Sequence, residues 1–400
     1  MSKLIVTRME GAVCTALSDD RKILQISLEP QEEGTLLNSI YIGRVQNVRK
    51  NINAAFVDIG NGMTGYYSLT DNHRHLYADN KEHKELHIGD EIIVQIEKEA
   101  VKTKAPVLTG RITFTGKYTV LTAGKQGVGF SNKITDRGWK AAMKPVLQEA
   151  VGNEQALIVR TNGKDASQEE LLAEIRHLKE LYVNLLKTAS YRSCYSLLYQ
   201  APAGFLSGIR DAYADQLQEI VTDDEALYSQ MQHFLEQEQP EDRGKLRLYQ
   251  DELLSLTKLY SLERAVELAL SKHVWLKSGG YLVIEPTEAL VVIDVNTGKY
   301  SGKKTMAETI LKINLEAAEE IGRQLRLRNL SGIIIVDFID MKAEEDRRRL
   351  LEHLDAVVRR DPVKTTVVEI TRLNLVELTR KKIHRPLHEQ MAALNAEKPD

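Results

Sequence analysis

Two stretches constrain this chain most. VVIDVNTG, residues 291–298, is an apolar run that ends in Asp294 and Asn296, two residues apart. IIIVDFID, residues 333–340, is a second apolar run ending in a carboxylate, Asp337, 43 residues beyond the first. Between them lies KTMAETILKINLEAAEEIGRQLRLRN, with Met306, Ile310, Ile313, Ala317, Ile321 and Leu325 at helical spacing. Strand, helix, strand is the crossover that lets two strands lie parallel in one sheet. The apolar run Val291–Ile293 reads as a strand buried on both faces. Strand periodicity puts Asp294 and Asn296 on one face, and Asp337 with Ile339 on one face with Asp340 on the other. Both acidic side chains then emerge at the C-terminal edge of one sheet, where open α/β sheets place their sites.

Two carboxylates and an amide suit a hard cation such as Mg²⁺, which takes one or two carboxylates and fills its shell with water and substrate phosphate. Such an ion activates water and stabilises developing charge in phosphodiester hydrolysis. On spacing alone, capping of the following loop or helix is the commoner role for each Asp. Basic residues gather nearby: Arg323, Arg326 and Arg328 in RQLRLRN, and Arg372, Arg380, Lys381, Lys382 and Arg385 against the lone Glu377 in residues 371–386. They read as phosphate-neutralising groups or as a solvated face.

The rest of the chain is consistent with several domains. Its 400 residues exceed one ordinary core. Residues 1–34 hold three short strands, KLIVTRM, GAVCTAL and KILQISLE. Residues 39–69 are β-rich runs broken at Asn51, Asn53, Gly60 to Gly62 and Gly65, and HIGDEIIVQIEKEA adds another strand, which together suggest a small closed barrel. Phe56 and Tyr66 on that barrel suit base stacking or core packing. LIVRT ends a strand in Arg160 and Thr161, suited to holding a phosphate or to an ordinary salt bridge. Ser167 and Glu170 form a capping box at the start of a helix carrying Leu171, Ile175, Leu178, Leu181 and Leu185. DELLSLTKLYSLERAVELALSKHVWL reads as helix, and SGGYLVIEPTEALVVIDV as a hairpin. The chain is 42% hydrophobic and 28% charged, with no run of about 18 apolar residues, so no membrane span is expected. No secretory signal is seen at MSKLIVTRMEG, and the two cysteines, Cys14 and Cys194, suit a reducing cytoplasm. A net charge of −3 means that nucleic-acid binding must come from local patches.

TEALVVIDVNTGKYSG, NLEAAEEIGRQLRLRNLSGIIIVDFIDM and NINAAFVDIGNGMTGYYSL closely resemble the ribonuclease E/G family of bacterial endoribonucleases, and the likeness runs to about Pro386. The resemblance implies a multidomain α/β fold. A structural RNase H-like subdomain is split between residues 1–34 and 206–268, with an OB-fold RNA-binding domain at 35–117 and a 5′-sensor domain at 118–205 inserted in it. A DNase I-like catalytic subdomain follows at 269–400. The resemblance puts the family's catalytic metal ligands on Asp294 and Asp337 and its supporting amide on Asn296. It puts RNA-binding positions on Phe56, Tyr66 and Lys104, and the 5′-phosphate sensor on Arg160 and Thr161. The sensor loop, often with two adjacent arginines, here reads Asn132-Lys133. The expected activity is Mg²⁺-dependent cleavage of single-stranded A/U-rich RNA to 5′-phosphate and 3′-hydroxyl ends, in rRNA processing and mRNA decay. The expected partner is single-stranded RNA (rRNA precursors and mRNA). Many members carry a Cys-x-x-Cys zinc link between protomers; HEQMAALNAEKPD has no cysteine, so zinc is not expected and any homodimer would form without it. From another class, a non-catalytic RNA-binding or ribosome-associated factor is the alternative, and a DNA nuclease is a third.

Overall fold

The computed structural model describes residues 2–19, 22–30, 36–79, 85–99, 105–211, 217–298 and 306–396. Backbone proximity divides the chain into two compact units. One comprises Met1–Gln31, Asp215–Gln232 and Gly244–Asp400, and the other Glu32–Ala214 with His233–Arg243.

The first unit holds two sheets. The N-terminal strands Ser2–Met9, Ala12–Asp19 and Lys22–Pro30 form an antiparallel meander. Glu10 and Gly11, both at positive φ, make the tight turn between the first two, the geometry that suits the twist of a two-residue hairpin. Leu217–Thr222 adds parallel to the first strand and Leu246–Leu248 parallel to that, giving five strands. The second sheet has six strands, in the order His273–Trp275, Tyr281–Pro286, Leu290–Asn296, Gly332–Asp337, Leu375–Arg380, Thr365–Ile370. Leu290–Asn296 and Gly332–Asp337 are parallel neighbours, joined through the helix Met306–Leu327 as the spacing predicts. Every other pairing in this sheet is antiparallel.

One face of the six-stranded sheet carries Leu282, Ile284, Val291, Ile293, Val295, Ile334 and Val336 into a core formed with the helices Met306–Leu327 and Glu344–Arg359. Among the described residues, no helix or sheet packs on the other face. Along Leu290–Asn296, Val291, Ile293 and Val295 are buried, whereas Leu290, Val292, Asp294 and Asn296 are half-buried. The strand is therefore fully buried on one side only, a correction to the expectation of two covered faces: on the other side Val292 and Ile335 are half-buried and Ile333 is 51% exposed. Met306, expected on the apolar helix stripe, is 80% exposed, because the helix begins beyond the reach of the sheet. The expected long helix over residues 251–276 is instead a short turn Leu256–Leu259, a break at Ser261 (φ 50°), a helix Leu262–Leu270 and the edge strand His273–Trp275.

In the second unit, Ile40–Arg49, Ala54–Asp58, Thr64–Ser68, Val107–Thr109 and Glu91–Lys98 pair in sequence, and the last returns to the first. This is the closed five-stranded barrel expected from the turn spacing. Gly65 faces its interior, where a Cβ would collide with the Leu108 side chain. Beside the barrel, a four-stranded sheet of Gly127–Phe130, Gln155–Val159, Thr119–Ala123 and Thr113–Thr115 packs on the helices Arg137–Val151 and Gln168–Ala189. The Ser167/Glu170 capping box is formed, and Leu171, Ile175, Leu178 and Leu185 are buried. Among the described residues, no helix is long and apolar enough to cross a membrane.

Candidate functional site

Asp294 and Asp337 are direct register partners on the two parallel strands, so their side chains stand side by side on the open face of the six-stranded sheet. Asn296, on the same face, donates from Nδ2 to Asp294 Oδ2 at 2.7 Å. This amide commits one carboxylate oxygen and fixes the rotamer of Asp294. Burial, the neighbouring Asp294 carboxylate and Asp340 together push the Asp337 carboxyl above the usual aspartate range. Asp340 is the less suitable partner: it leaves the strand and accepts a hydrogen bond from Asn374 Nδ2 at 3.3 Å.

The backbone around these groups is tightly fixed. Gly298 has φ 58°, and a Cβ there would overlap the Gly279 carbonyl; a Cβ on Gly280 would lie 2.7 Å from the Asn296 carbonyl oxygen. The turn before Tyr281 therefore packs against the exit of the Asp294 strand at backbone contact, which only glycine permits. Glu316 holds the same turn by accepting from the Lys277 amide at 2.6 Å and the Ser278 amide. Beyond Asp337, the fully buried Asn314 donates to the Ile339 carbonyl at 2.8 Å and accepts from its amide at 3.1 Å.

Among the described residues no group of three or more His, Cys, Asp or Glu converges to hold an ion. The donor set at the strand ends is thus two hard carboxylates that repel each other and stand open to solvent on one side. It fits a cation that keeps several waters and accepts substrate oxygens, as Mg²⁺ does, and is too sparse for an ion caged by protein alone.

The basic cluster is largely engaged in structure. Arg323 bonds Glu320 at 2.6 Å. Arg328 is 5% exposed and donates to Gln324 Oε1 at 2.6 Å; burial, with the Arg323 charge nearby, pushes it down to about 10. Arg380, read from the sequence as a phosphate-neutralising group or part of a solvated face, is neither: it is buried, with Asp361 at 2.7 Å and the Asn329 side chain and Leu330 carbonyl as acceptors. It lies on a strand rather than on a helix or loop face, and its alternation turns it inward. Arg372, Lys381, Lys382 and Arg385 remain exposed.

In the second unit, Phe56 and Tyr66 are cross-strand partners on one barrel face, both half-buried, with ring centroids 6.2 Å apart and edge-to-face. Lys104 lies outside the described residues. Arg160 and Thr161 follow the strand Gln155–Val159, and Ser131 follows its parallel neighbour Gly127–Phe130, so the two strand ends meet. Thr161 and Ser131 hydroxyls are 3.0 Å apart. Arg160 donates from Nη1 to the Gly116 carbonyl and from Nη2 to Asp211, each at 2.7 Å. Asp211 was not anticipated, because its partner is 51 residues away. The edge strand His273–Trp275 was also missed, because it follows a helix and its HVW carries no alternation long enough to read. Asn314 left a signal, a polar amide on the apolar stripe of its helix.

The family model described as the ribonuclease E/G family matches residues 113–383, and that of the S1 RNA binding domain matches residues 37–111. Ribonuclease G of Haemophilus influenzae is 35% identical over 382 residues, covering 93% of this chain and 78% of that protein. Ribonuclease G of Escherichia coli K12 is 32% identical over 391 residues, covering 95% and 80%. Ribonuclease E of Synechocystis is 32% identical over 394 residues, covering 97% of this chain and 58% of that protein.

Proposed function

The chain belongs to the ribonuclease E/G family, and from that premise we propose that it is a Mg²⁺-dependent endoribonuclease cutting single-stranded A/U-rich RNA to 5′-phosphate and 3′-hydroxyl ends, in rRNA processing and mRNA decay. The observation that carries this reading is the in-register pair Asp294 and Asp337 at the ends of two parallel strands, with Asn296 bonded to Asp294. Asp294 and Asp337 would hold the ion between them. A bound Mg²⁺ would supply polarisation of the phosphoryl oxygen and a water of lowered pKa. Asn296 keeps the Asp294 carboxylate turned toward its partner, so the pair costs no reorganisation when RNA arrives.

The remaining roles follow the same reading. Phe56 and Tyr66 offer a paired aromatic surface for RNA bases, and Lys104 a phosphate contact. Arg160 and Thr161 receive a 5′-monophosphate where two strand ends meet, with the Ser131 hydroxyl beside them. The five-stranded mixed sheet of the first unit supports an RNase H-like structural subdomain over 1–34 and 206–268. The barrel supports an OB-fold domain over 35–117, residues 118–205 would form the 5′ sensor, and 269–400 the DNase I-like catalytic part. The protein would work in the cytoplasm, and any homodimer would form without zinc; solution mass with and without a chelator tests that.

Incubating purified protein and Mg²⁺ with a fluorescent A/U-rich oligonucleotide tests the central claim. Cleavage is expected in the wild type and lost in Asp294→Asn and in Asp337→Asn, with RNA affinity kept within a few-fold. Full activity in both variants would refute it, and absence of cutting by the wild type would favour an RNA-binding factor. Equal rates on 5′-monophosphorylated and 5′-hydroxyl versions of one RNA would remove the sensor role from Arg160 and Thr161.

A further inference from the structure

The open face that carries Asp294 and Asp337 also carries an aromatic group with no assigned role. In the antiparallel register, Tyr281 pairs with Asn296 and Val283 with Asp294. On the edge strand, Trp275 pairs with Tyr281 and His273 with Val283. Direct partners across strands share a face. Trp275, Tyr281 and Asn296 therefore form one row across the sheet, and His273, Val283, Asp294 and Asp337 form the next. The opposite-facing Val274 and Leu282 belong to the buried core. Trp275 is 71% exposed. Its ring lies 5.2 Å from that of Tyr281, and the His273 ring, two residues along the same edge strand, lies 5.9 Å from Tyr281.

An exposed tryptophan alone is unremarkable on a protein surface. Here the indole rests against a half-buried tyrosine on the next strand, which favours one orientation of the ring. It also stands two strand spacings, about 10 Å, from the strand bearing Asp294 and Asn296. That places a flat, pre-ordered π surface within reach of a base next to the phosphate that the carboxylates would receive. Stacking of single-stranded bases on such rings tolerates any sequence, because every base has a π face. Lys277 and Ser278, shortly after Trp275, are polar and turn-forming.

We propose that Trp275, supported by Tyr281 and His273, is a stacking platform for an RNA base adjacent to the scissile phosphate. The inference rests on the nuclease reading for the identity of the ligand. Its test uses a direct binding signal, so the two claims fail separately.

Trp139 and Trp275 are the only tryptophans, so Trp139→Phe leaves Trp275 as sole reporter in the full chain. Titration with a 2′-O-methylated A/U oligonucleotide, which resists cleavage, in the presence of EDTA should quench Trp275 emission to saturation. On a cleavable RNA with Mg²⁺, Trp275→Ala should raise KM about tenfold with kcat within about twofold, and Trp275→Phe should restore most of the loss. An RNA with one abasic position beside the cleaved bond should lose the same factor in the wild type and nothing further in Trp275→Ala. Absence of quenching, an emission change that tracks protein concentration without RNA, or wild-type KM in Trp275→Ala would each overturn the platform. Quenching by RNA in a wild type that cuts nothing would uphold the platform and refute the nuclease.

Discussion

Asp337 and Glu219 show how one chemical group, the carboxyl, can pull stability in opposite directions. Asp337 titrates above the usual range because of burial and the Asp294 and Asp340 charges. A carboxyl with a raised folded pKa takes up protons more readily folded than unfolded, so its ionised form costs stability above that pKa. Asp337→Asn removes the repulsion. Without divalent metal its melting temperature at neutral pH should therefore equal or exceed that of the wild type. Mg²⁺ should raise the wild-type melting temperature and leave the variant unmoved, since only a folded state that binds ligand gains from it. Thermal denaturation with and without Mg²⁺ checks both; a variant several degrees less stable in EDTA would make Asp337 a structural residue. Glu219 behaves in the usual way. Its hydrogen bond to Lys3 at 2.5 Å, with Arg247 at 3.2 Å, holds it below the ordinary range despite partial burial. That stability is present above the unfolded value, about 4.3, and is lost as pH falls through the lower folded value. Denaturation over a range of pH should show Glu219→Gln modestly less stable than the wild type at pH 7, where the paired carboxylate is ionised, with the difference vanishing as pH falls through the folded value.

At the scale of elements, the segment after Asp337 depends on Asn314. Its amide is fully buried and satisfies both the amide and the carbonyl of Ile339, two residues beyond the carboxylate. Asn314→Leu keeps the volume and leaves both backbone groups without their partner. Chemical denaturation should report a loss of about 2 kcal/mol or more. Cleavage should fall through kcat while RNA affinity holds, because the displaced chain carries Asp337 and not the RNA-binding barrel. Equal loss of affinity would mean a general collapse instead. Asn314 also marks how far the elements were legible. The hairpin, the crossover helix and the barrel strands followed from periodicity and turn residues, which act locally. The edge strand His273–Trp275 did not, since three residues carry too little alternation and a helical pattern precedes them. The one-sided burial of Leu290–Asn296 was hidden because Val292 is apolar like its buried neighbours Val291 and Ile293. Arg380 was misplaced for a related reason. A charged residue inside a strand turns inward only when a carboxylate such as Asp361 waits there, and that pairing spans 19 residues.

Over the whole molecule, the path of the chain is the least local feature. Residues 233–243 belong to the same compact unit as the barrel, although the segment before them belongs to the other. Lys117 anchors that return. It is 4% exposed, with Nζ 2.6 Å from Asp242 and 2.8 Å from Glu241. Burial would lower its pKa, but the two carboxylates outweigh it and hold it raised. Tyr118 extends the network by donating from its hydroxyl to Glu241 at 3.0 Å, and the Tyr118 and Thr119 amides donate to Glu174. These partners lie 124 and 125 residues from Lys117, beyond any sequence pattern. Lys117→Met would keep the stem and remove the charge that faces Asp242, itself 4% exposed. Removing one partner of a buried pair typically costs about 3–5 kcal/mol. Hydrogen exchange should therefore show faster exchange across residues 113–123 and 233–243, while the strand Leu290–Asn296 keeps its protection. Lys117→Met with Asp242→Asn should recover part of the loss, because a neutral amide tolerates burial better than a carboxylate that has lost the Lys117 charge. If the double variant is as unstable as the sum of the two single changes, the pair contributes no coupling, and the segment is held by its other contacts, the Tyr118–Glu241 hydrogen bond among them.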